Sequence, residues 1–158
     1  MILVSACLLG LNTRYDGGNN AHKLLLKYNY LNKYIPICPE ELGGLPTPRL
    51  PAEICGGTGR EVLAGTAQVF DKQGRDVTKE FLQGTEKVAD ILAKNHIIAA
   101  ILKERSPSCG VHQIYDGTFK GYKKAGQGVT GAFLGELGIP LYSEAEITVE
   151  LLERLLVG

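Results

Sequence analysis

Three times in this chain a short apolar run stops abruptly at a polar loop that carries a cysteine. Ile2-Leu3-Val4-Ser5-Ala6 meets Cys7-Leu8-Leu9-Gly10, and Tyr34-Ile35-Pro36-Ile37 meets Cys38-Pro39-Glu40. Ile97-Ile98-Ala99-Ala100-Ile101-Leu102 gives way at Lys103 to Ser106-Pro107-Ser108-Cys109-Gly110. Short continuous apolar runs bounded by turn formers read as parallel strands buried on both faces. Open α/β sheets place their chemistry at the carboxyl ends of such strands. If the three strands are parallel neighbours, three sulfurs converge on one rim. The expected fold class is therefore α/β: a three-layer, Rossmann-like, mostly parallel sheet with helices on both faces and a small added hairpin.

The segments between these runs suit that layout. The loop from Leu8 to Asn20 is rich in turn formers, with its sharpest bend at Asp16-Gly17-Gly18, and loops of this length beside a strand end are often functional. Asn20 caps a helix expected from about Ala21 to Asn32, on which Leu24, Leu25, Tyr28 and Leu31 repeat at helical spacing. Pro36 assigns its strand to an edge or a bulge. Pro46, Pro48 and Pro51 make a stiff, extended lip around Arg49. Glu61–Leu63 and Ala67–Phe70 read as short strands about the Ala64-Gly65-Thr66 turn, with Cys55 in a flexible glycine-rich turn before them. A helix capped by Thr78 runs to about Lys94, where Asn95 and His96 close it. Asp116-Gly117 between alternating segments signals a hairpin. A helix opened by Gly126–Thr130 reaches about Leu137, Ile139–Tyr142 forms a fourth core strand, and Ile147, Leu151, Leu152 and Leu155 lie on one face of a C-terminal helix.

The 158 residues suit a single domain, 1–158. Lys plus Arg and Asp plus Glu number 17 each, a balance that argues against a phosphate backbone or an anionic membrane as the main partner. No apolar stretch is long enough to span a bilayer, and the start lacks signal-peptide grammar, so a cytoplasmic location is expected. There thiols stay reduced, and four cysteines suggest metal binding or catalysis before disulfides. No Cys-x-x-Cys occurs, so a zinc ribbon or thioredoxin motif is unsupported. Gly56-Gly57-Thr58-Gly59 lacks both the Gly-Lys-Ser/Thr ending and the preceding strand of a phosphate loop.

Each cysteine alone is compatible with inert core packing; the repeated pattern is what raises Cys7, Cys38 and Cys109 to candidate ligands of one metal site. Zinc usually draws ligands in close pairs, whereas these come singly from distant segments, as an iron–sulfur cluster allows. With three cysteines and four irons one iron stays open, a Lewis acid with an affinity for soft sulfur. Glu40, Glu41, Asp16, Ser106, Ser108 and Lys103 are the proton carriers nearby, Glu40 favoured by standing two residues from Cys38. A Cys109/His112 hydrolase is an alternative, weakened because such couples normally come from separate elements with a third, orienting group.

Ser5-Ala6-Cys7-Leu8-Leu9-Gly10, Arg14-Tyr15-Asp16-Gly17, Cys38-Pro39-Glu40, Gly43-Gly44-Leu45, Pro48-Arg49, Asp76-Val77-Thr78, Leu102-Lys103, Ser106-Pro107-Ser108-Cys109-Gly110 and Tyr115-Asp116-Gly117 together resemble, in order and over almost the whole length, the domain-of-unknown-function family numbered 523. The activity assigned within that family is removal of sulfur from 2-thiouracil, giving uracil and sulfide by a non-redox route. The resemblance implies a [4Fe-4S] cluster on Cys7, Cys38 and Cys109, with the fourth iron free for the substrate sulfur. It also implies an acidic residue and a serine that manage water and protons, for which Glu40, Ser106 and Asp16 are the matching positions. Ser108, Lys103 and Arg49 are the candidate substrate-binding residues, and Cys55 is expected to be an inert thiol.

The partner so implied is a small thiolated pyrimidine, with neither membrane nor nucleic acid, and the chain is a monomer or a homodimer. Two other functions stay open on the sequence. One is a sulfur-handling protein acting on thiolated nucleosides or supplying persulfide; the other is a redox-sensing or nucleotide-like-ligand-binding domain without desulfidase activity.

Overall fold

The computed structural model describes residues 1–158. Its centre is a parallel four-stranded sheet of β1 (Ile2–Ser5), β2 (Tyr34–Ile37), β5 (Ala99–Leu102) and β8 (Leu141–Ser143), in the spatial order β2-β1-β5-β8. The three strands that lead to cysteines are thus adjacent and point the same way. β2 lies at an edge, where Pro36, opposite Val4, leaves no central ladder donor missing.

Alternation along the strands sends apolar side chains to both faces. Ile2, Val4 and Ile101 share one core cluster with Leu25 and Tyr28 and with Leu152 and Leu156 of α6 (Val149–Leu156). Leu3, Ile37, Ala100 and Leu102 share another with Val88 of α4 (Thr78–Lys94) and Leu134 of α5 (Val129–Glu136). Fully burying one such side chain stabilises the fold by about 1.5–3 kcal/mol. No helix is long and apolar enough to cross a membrane.

A third cluster lies beside the sheet. β3 (Ala52–Cys55) and β4 (Gln68–Asp71) form an antiparallel pair whose Ile54 and Val69 pack with Phe81 of α4, Val129 of α5 and Ile114 of β6 (Gln113–Tyr115). Between β3 and β4 stands α3 (Gly59–Ala64), where the sequence suggested a strand over Glu61–Leu63. Thr58 and Glu61 form a capping box there, and Gly65 at φ 83 ends the helix, so local hydrogen bonds outrank β propensity. The partner of β4 is the segment that read as lip and turn.

Other boundaries moved for equally local reasons. The first helix shrinks from Ala21–Asn32 to α1 (Lys23–Lys27) followed by a 3₁₀ turn at Asn29–Leu31. His22 takes the N-cap, because Asn20 is tied back to the first loop: its N–H donates to Cys7 O at 2.8 Å and its side chain accepts from Arg14. Val77, not Thr78, is the N-cap of α4; the Thr78 hydroxyl instead accepts the Val69 N–H at 2.9 Å and pins the helix start to β4. The expected hairpin exists, as β6 paired with β7 (Lys123–Ala125), but Tyr115 pairs with Lys123, so a loop over 116–122 closes it rather than a two-residue Asp-Gly turn.

α2 (Pro39–Leu42) was not foreseen. Pro39 at its first position and Cys38 at its N-cap start it, and its contact with α4 is backbone on backbone. A Cβ on Gly84 would lie 1.9 Å from Pro39 O, and one on Gly43 would lie 1.9 Å from Glu80 O. Only glycine permits this approach, which fixes α2, and with it Cys38 and Glu40, against the long helix.

Candidate active site

At the carboxyl ends of β1, β2 and β5 opens a cavity of about 620 Å³ lined by Cys7, Cys38 and Cys109 together with Glu40, Arg49, Lys103, Ser106 and Ser108. Each cysteine arrives differently. Cys7 sits in a 3₁₀ turn (Ala6–Leu9) directly after β1, Cys38 at the N-cap of α2, and Cys109 in the loop after β5. All three are free thiols; Cys7 and Cys109 are buried and Cys38 half-buried. No three His, Cys, Asp or Glu side chains in the molecule converge tightly enough to hold a single metal ion.

Burial raises the pKa of each thiol. For Cys109 it does so most, to about 12; the polar hydroxyls of Ser5 and Ser108 work against the shift, and the nearness of Cys7 and Cys38 adds to it. Burial also dominates at Cys7, partly offset by Asn20, Lys103 and Arg14. At Cys38 burial is opposed by the Glu41 backbone N–H and by Arg49, and reinforced by Glu40. These thiols are therefore protonated near neutrality unless a cation joins them.

Glu40 is held at both of its carboxylate oxygens. Its Oε1 accepts from Arg49 Nε at 3.1 Å and its Oε2 accepts the Ser108 hydroxyl at 2.9 Å, with both members of the ion pair largely removed from solvent. Arg49 lines the cavity too, yet it has no free donor. Besides Nε, its Nη1 donates to Pro46 O (3.3 Å) and Thr47 Oγ1 (2.7 Å), and its Nη2 to Thr13 O (2.8 Å) and the Cys38 sulfur (3.9 Å). All five guanidinium N–H groups are engaged by protein, which makes Arg49 a clasp for α2, the proline lip and the first loop rather than a hand held out to a ligand.

The serines form a directed chain. Ser106 Oγ accepts two backbone N–H groups, from Ser108 (3.1 Å) and Cys109 (3.0 Å). Because the Ser108 proton goes to Glu40, the 3.0 Å contact between the two hydroxyls is satisfied by Ser106 donating to Ser108. Protons can then pass Ser106 to Ser108 to Glu40, and Ser108 also stands 3.7 Å from the Cys109 sulfur.

Lys103 lines the same cavity with Nζ paired to Glu144 at 3.3 Å and donating to Glu104 O at 3.0 Å. Asp16 does not line it. Its carboxylate accepts from Gly18 N at 2.9 Å and pairs with Arg14 at 3.1 Å, stiffening the first loop, while Arg14 and Tyr15 reach the cavity wall. The Gly18 N–H, followed by Arg14, holds its pKa below the usual carboxylate range. Cys55 lies on β3, outside that cavity wall, with its sulfur 3.5 Å from Gly117 O. His112 faces solvent beside Glu146, with no contact to the Cys109 sulfur among its bonds, so the hydrolase alternative has no base in place.

Several supporting residues escaped the sequence reading. Ser5, the last residue of β1, accepts the Lys103 N–H at 2.9 Å, tying the ends of β1 and β5 together, and its hydroxyl acts to lower the Cys109 thiol pKa. Glu104 Oε1 gathers the N–H groups of Val111 (2.9 Å), His112 (2.9 Å), Gln113 (3.0 Å) and Arg105 (3.4 Å), closing the loop that carries Cys109. A buried-strand serine beside a predicted ligand was a signal; a single glutamate reaching nine residues along its own loop had none.

Comparison with known proteins places these residues in a family. The family model described as 2-thiouracil desulfurase matches residues 2–146. The uncharacterized protein YbbK of Bacillus subtilis (strain 168) is 47% identical over 147 residues, which cover 93% of this chain and 97% of that protein. The solved structure of the [4Fe-4S]-dependent thiouracil desulfidase TudS, of the same numbered domain family, superposes with a TM-score of 0.84 at 40% identity, covering 99% of this chain and 98% of that one.

Proposed function

Since this chain belongs to the 2-thiouracil desulfurase family, we propose that it is a desulfidase that hydrolyses the thiocarbonyl of a small thiolated pyrimidine such as 2-thiouracil, releasing uracil and sulfide without net electron transfer. The observation that carries the reading is the meeting, in one cavity, of three thiols with a carboxylate already hydrogen-bonded to a serine relay.

The donor set fits a [4Fe-4S] cluster. Three thiols share the cavity without the tight convergence a single ion needs, and burial has raised each so that bound iron, not the protein, would stabilise the thiolates. Cys7, Cys38 and Cys109 would hold it, and when bound it supplies an open iron, a soft Lewis acid for thiocarbonyl sulfur. The sheet with its two helical flanks is read as the three-layer, Rossmann-like scaffold that presents them.

The chain's own residues then handle water and protons. Glu40 accepts a proton from water at Oε2, directly or through Ser108, as the oxygen attacks the ring carbon. On the relayed route the water proton replaces the one Ser108 passes to Glu40, with the Ser106 hydroxyl holding Ser108 in line; the proton on Glu40 and the remaining hydroxyl proton then leave with the sulfur, so one water yields one carbonyl and one hydrogen sulfide. Arg49 keeps the carboxylate aimed by occupying Oε1. The positive charge of Lys103 opposes, without reversing, the rise that burial imposes on the Cys7 thiol. Asp16 supports the first loop and takes no proton in this scheme.

The test is sulfide release from 2-thiouracil by anaerobically prepared protein, with iron and labile sulfide counted per chain. Uracil and sulfide in equal amounts, with about four irons per chain, are expected. Iron-loaded protein that leaves 2-thiouracil intact, or colourless protein that takes up one zinc instead, would overturn the reading.

A further inference from the structure

The 116–122 loop and β3 also contribute to the wall of the cavity, and there one residue breaks the local rules. Phe119 lines the cavity with its backbone at φ 58, the left-handed region that costs a bulky side chain. The same loop uses glycine wherever the chain path alone calls for positive φ, at Gly117 (φ 96) and Gly121 (φ 80). At position 119 it keeps a large ring instead, and that ring is not repaid by deep burial, being only half-buried.

The strained turn is held from outside. Glu53 Oε1 on β3 accepts the N–H of Gly117 at 3.0 Å and of Phe119 at 3.1 Å, and Cys55, two residues along β3, has its sulfur 3.5 Å from Gly117 O. Asp116 ties the turn internally through Thr118 N at 3.0 Å, and Asp116 N donates to Tyr122 O at 2.9 Å. Tyr15 and Tyr115 line the same cavity. A cavity whose lining combines thiols and carboxylates with aromatic side chains suits a flat, polar heterocycle.

We propose that Phe119 is the aromatic surface on which the pyrimidine ring of the substrate stacks, and that Glu53 is a positioning residue that holds Phe119 in its strained conformation. The proposal rests on the desulfidase reading for the identity of the ring, but not for the stacking itself. Loss of a single base–aromatic stack weakens binding by about tenfold, and because the ring does not touch the bond that breaks, that loss falls mainly on KM.

The experiment uses anaerobic, iron-loaded protein and two readouts, steady-state sulfide release from 2-thiouracil and calorimetric affinity for uracil. Phe119→Gly removes the ring while relieving the left-handed strain, so a merely structural role predicts a shifted thermal midpoint with unchanged uracil binding. Stacking instead predicts that KM and the uracil dissociation constant both rise about tenfold, that Phe119→Tyr restores both, and that Glu53→Gln shifts them the same way with iron content unchanged. Uracil binding by Phe119→Gly equal to wild type, or no uracil binding by wild type, would overturn the proposal. Wild type that binds uracil but releases no sulfide would remove the desulfidase reading and leave the uracil affinities of the variants to decide the stacking.

Discussion

Replacing Glu104 tests how the Cys109 loop is held. One carboxylate oxygen accepts N–H groups from Val111, His112, Gln113 and Arg105, across a loop that also contains Ser106 and Ser108. In Glu104→Ala the exposed His112 and Gln113 N–H groups turn to water, each forfeiting about 0.5–1 kcal/mol, the low end for a hydrogen bond because both re-solvate. The Val111 N–H belongs to a buried residue and loses its acceptor, which costs about 1–3 kcal/mol. The sum is about 3 kcal/mol, or about 6–12 °C in the thermal midpoint of a chain this size.

Glu104→Gln keeps an acceptor but not the charge, and should cost about 1–1.5 kcal/mol. Its pH dependence is the sharper test. Burial alone would raise the Glu104 pKa, yet the N–H groups of Gln113, His112, Val111 and Arg105 outweigh it and hold the pKa below the ordinary range. A depressed folded-state pKa contributes stability that is complete above the unfolded value, about 4.3, and is lost as pH falls through the folded value. Urea unfolding of cluster-free protein should show a gap between wild type and Glu104→Gln that is constant from pH 8 to about 5 and closes below about pH 4. A Glu104→Ala loss under about 0.5 kcal/mol, or a gap indifferent to pH across that window, would refute the account.

Arg49→Ala leaves Glu40 without its partner in a nearly dry site and should destabilise the fold by about 3–5 kcal/mol by chemical denaturation, with the Glu40→Ala, Arg49→Ala double variant recovering part of the loss. Gly84→Ala drives a methyl group into Pro39 O, so it should cost about 1–3 kcal/mol or more and, by pushing α2 outward, lower the iron bound per chain after anaerobic reconstitution. Cys109→Ser should lose both iron and sulfide release, whereas Cys55→Ser, outside the cavity, should keep its iron; an iron count on the two proteins separates the roles. In the relay, Ser108→Ala should reduce kcat by about 10²-fold with iron content unchanged, and wild-type kcat in that variant would remove Ser108 from the proton path.

The parallel sheet was legible because strands buried on both faces have almost no freedom in composition: Ile2–Ser5, Tyr34–Ile37 and Ala99–Leu102 read as apolar runs, and the polar break after each fixed where its loop begins. Cys7, Cys38 and Cys109 were singled out by that punctuation and by family resemblance, and Glu40 by its closeness to Cys38; all four line one cavity. The edge position of β2 followed from Pro36, a local backbone property. Where competing local forces were close, the reading slipped, as at Glu61–Leu63, where a capping box outranked two β-branched or aliphatic residues.

What only the folded molecule decided is which polar groups meet. That Arg49 has no donor left over, that Asp16 turns to Arg14 and Gly18, and that Ser106 must donate to Ser108 are outcomes of counting hydrogen bonds among residues up to about a hundred positions apart. The glycine contact between α2 and α4 belongs here too, since Gly43 and Gly84 carry no pattern that links them. Apolar periodicity is written along the chain because burial acts residue by residue. Hydrogen-bond partnership is pairwise and directional, so it exists only once the sheet has brought its strand ends together.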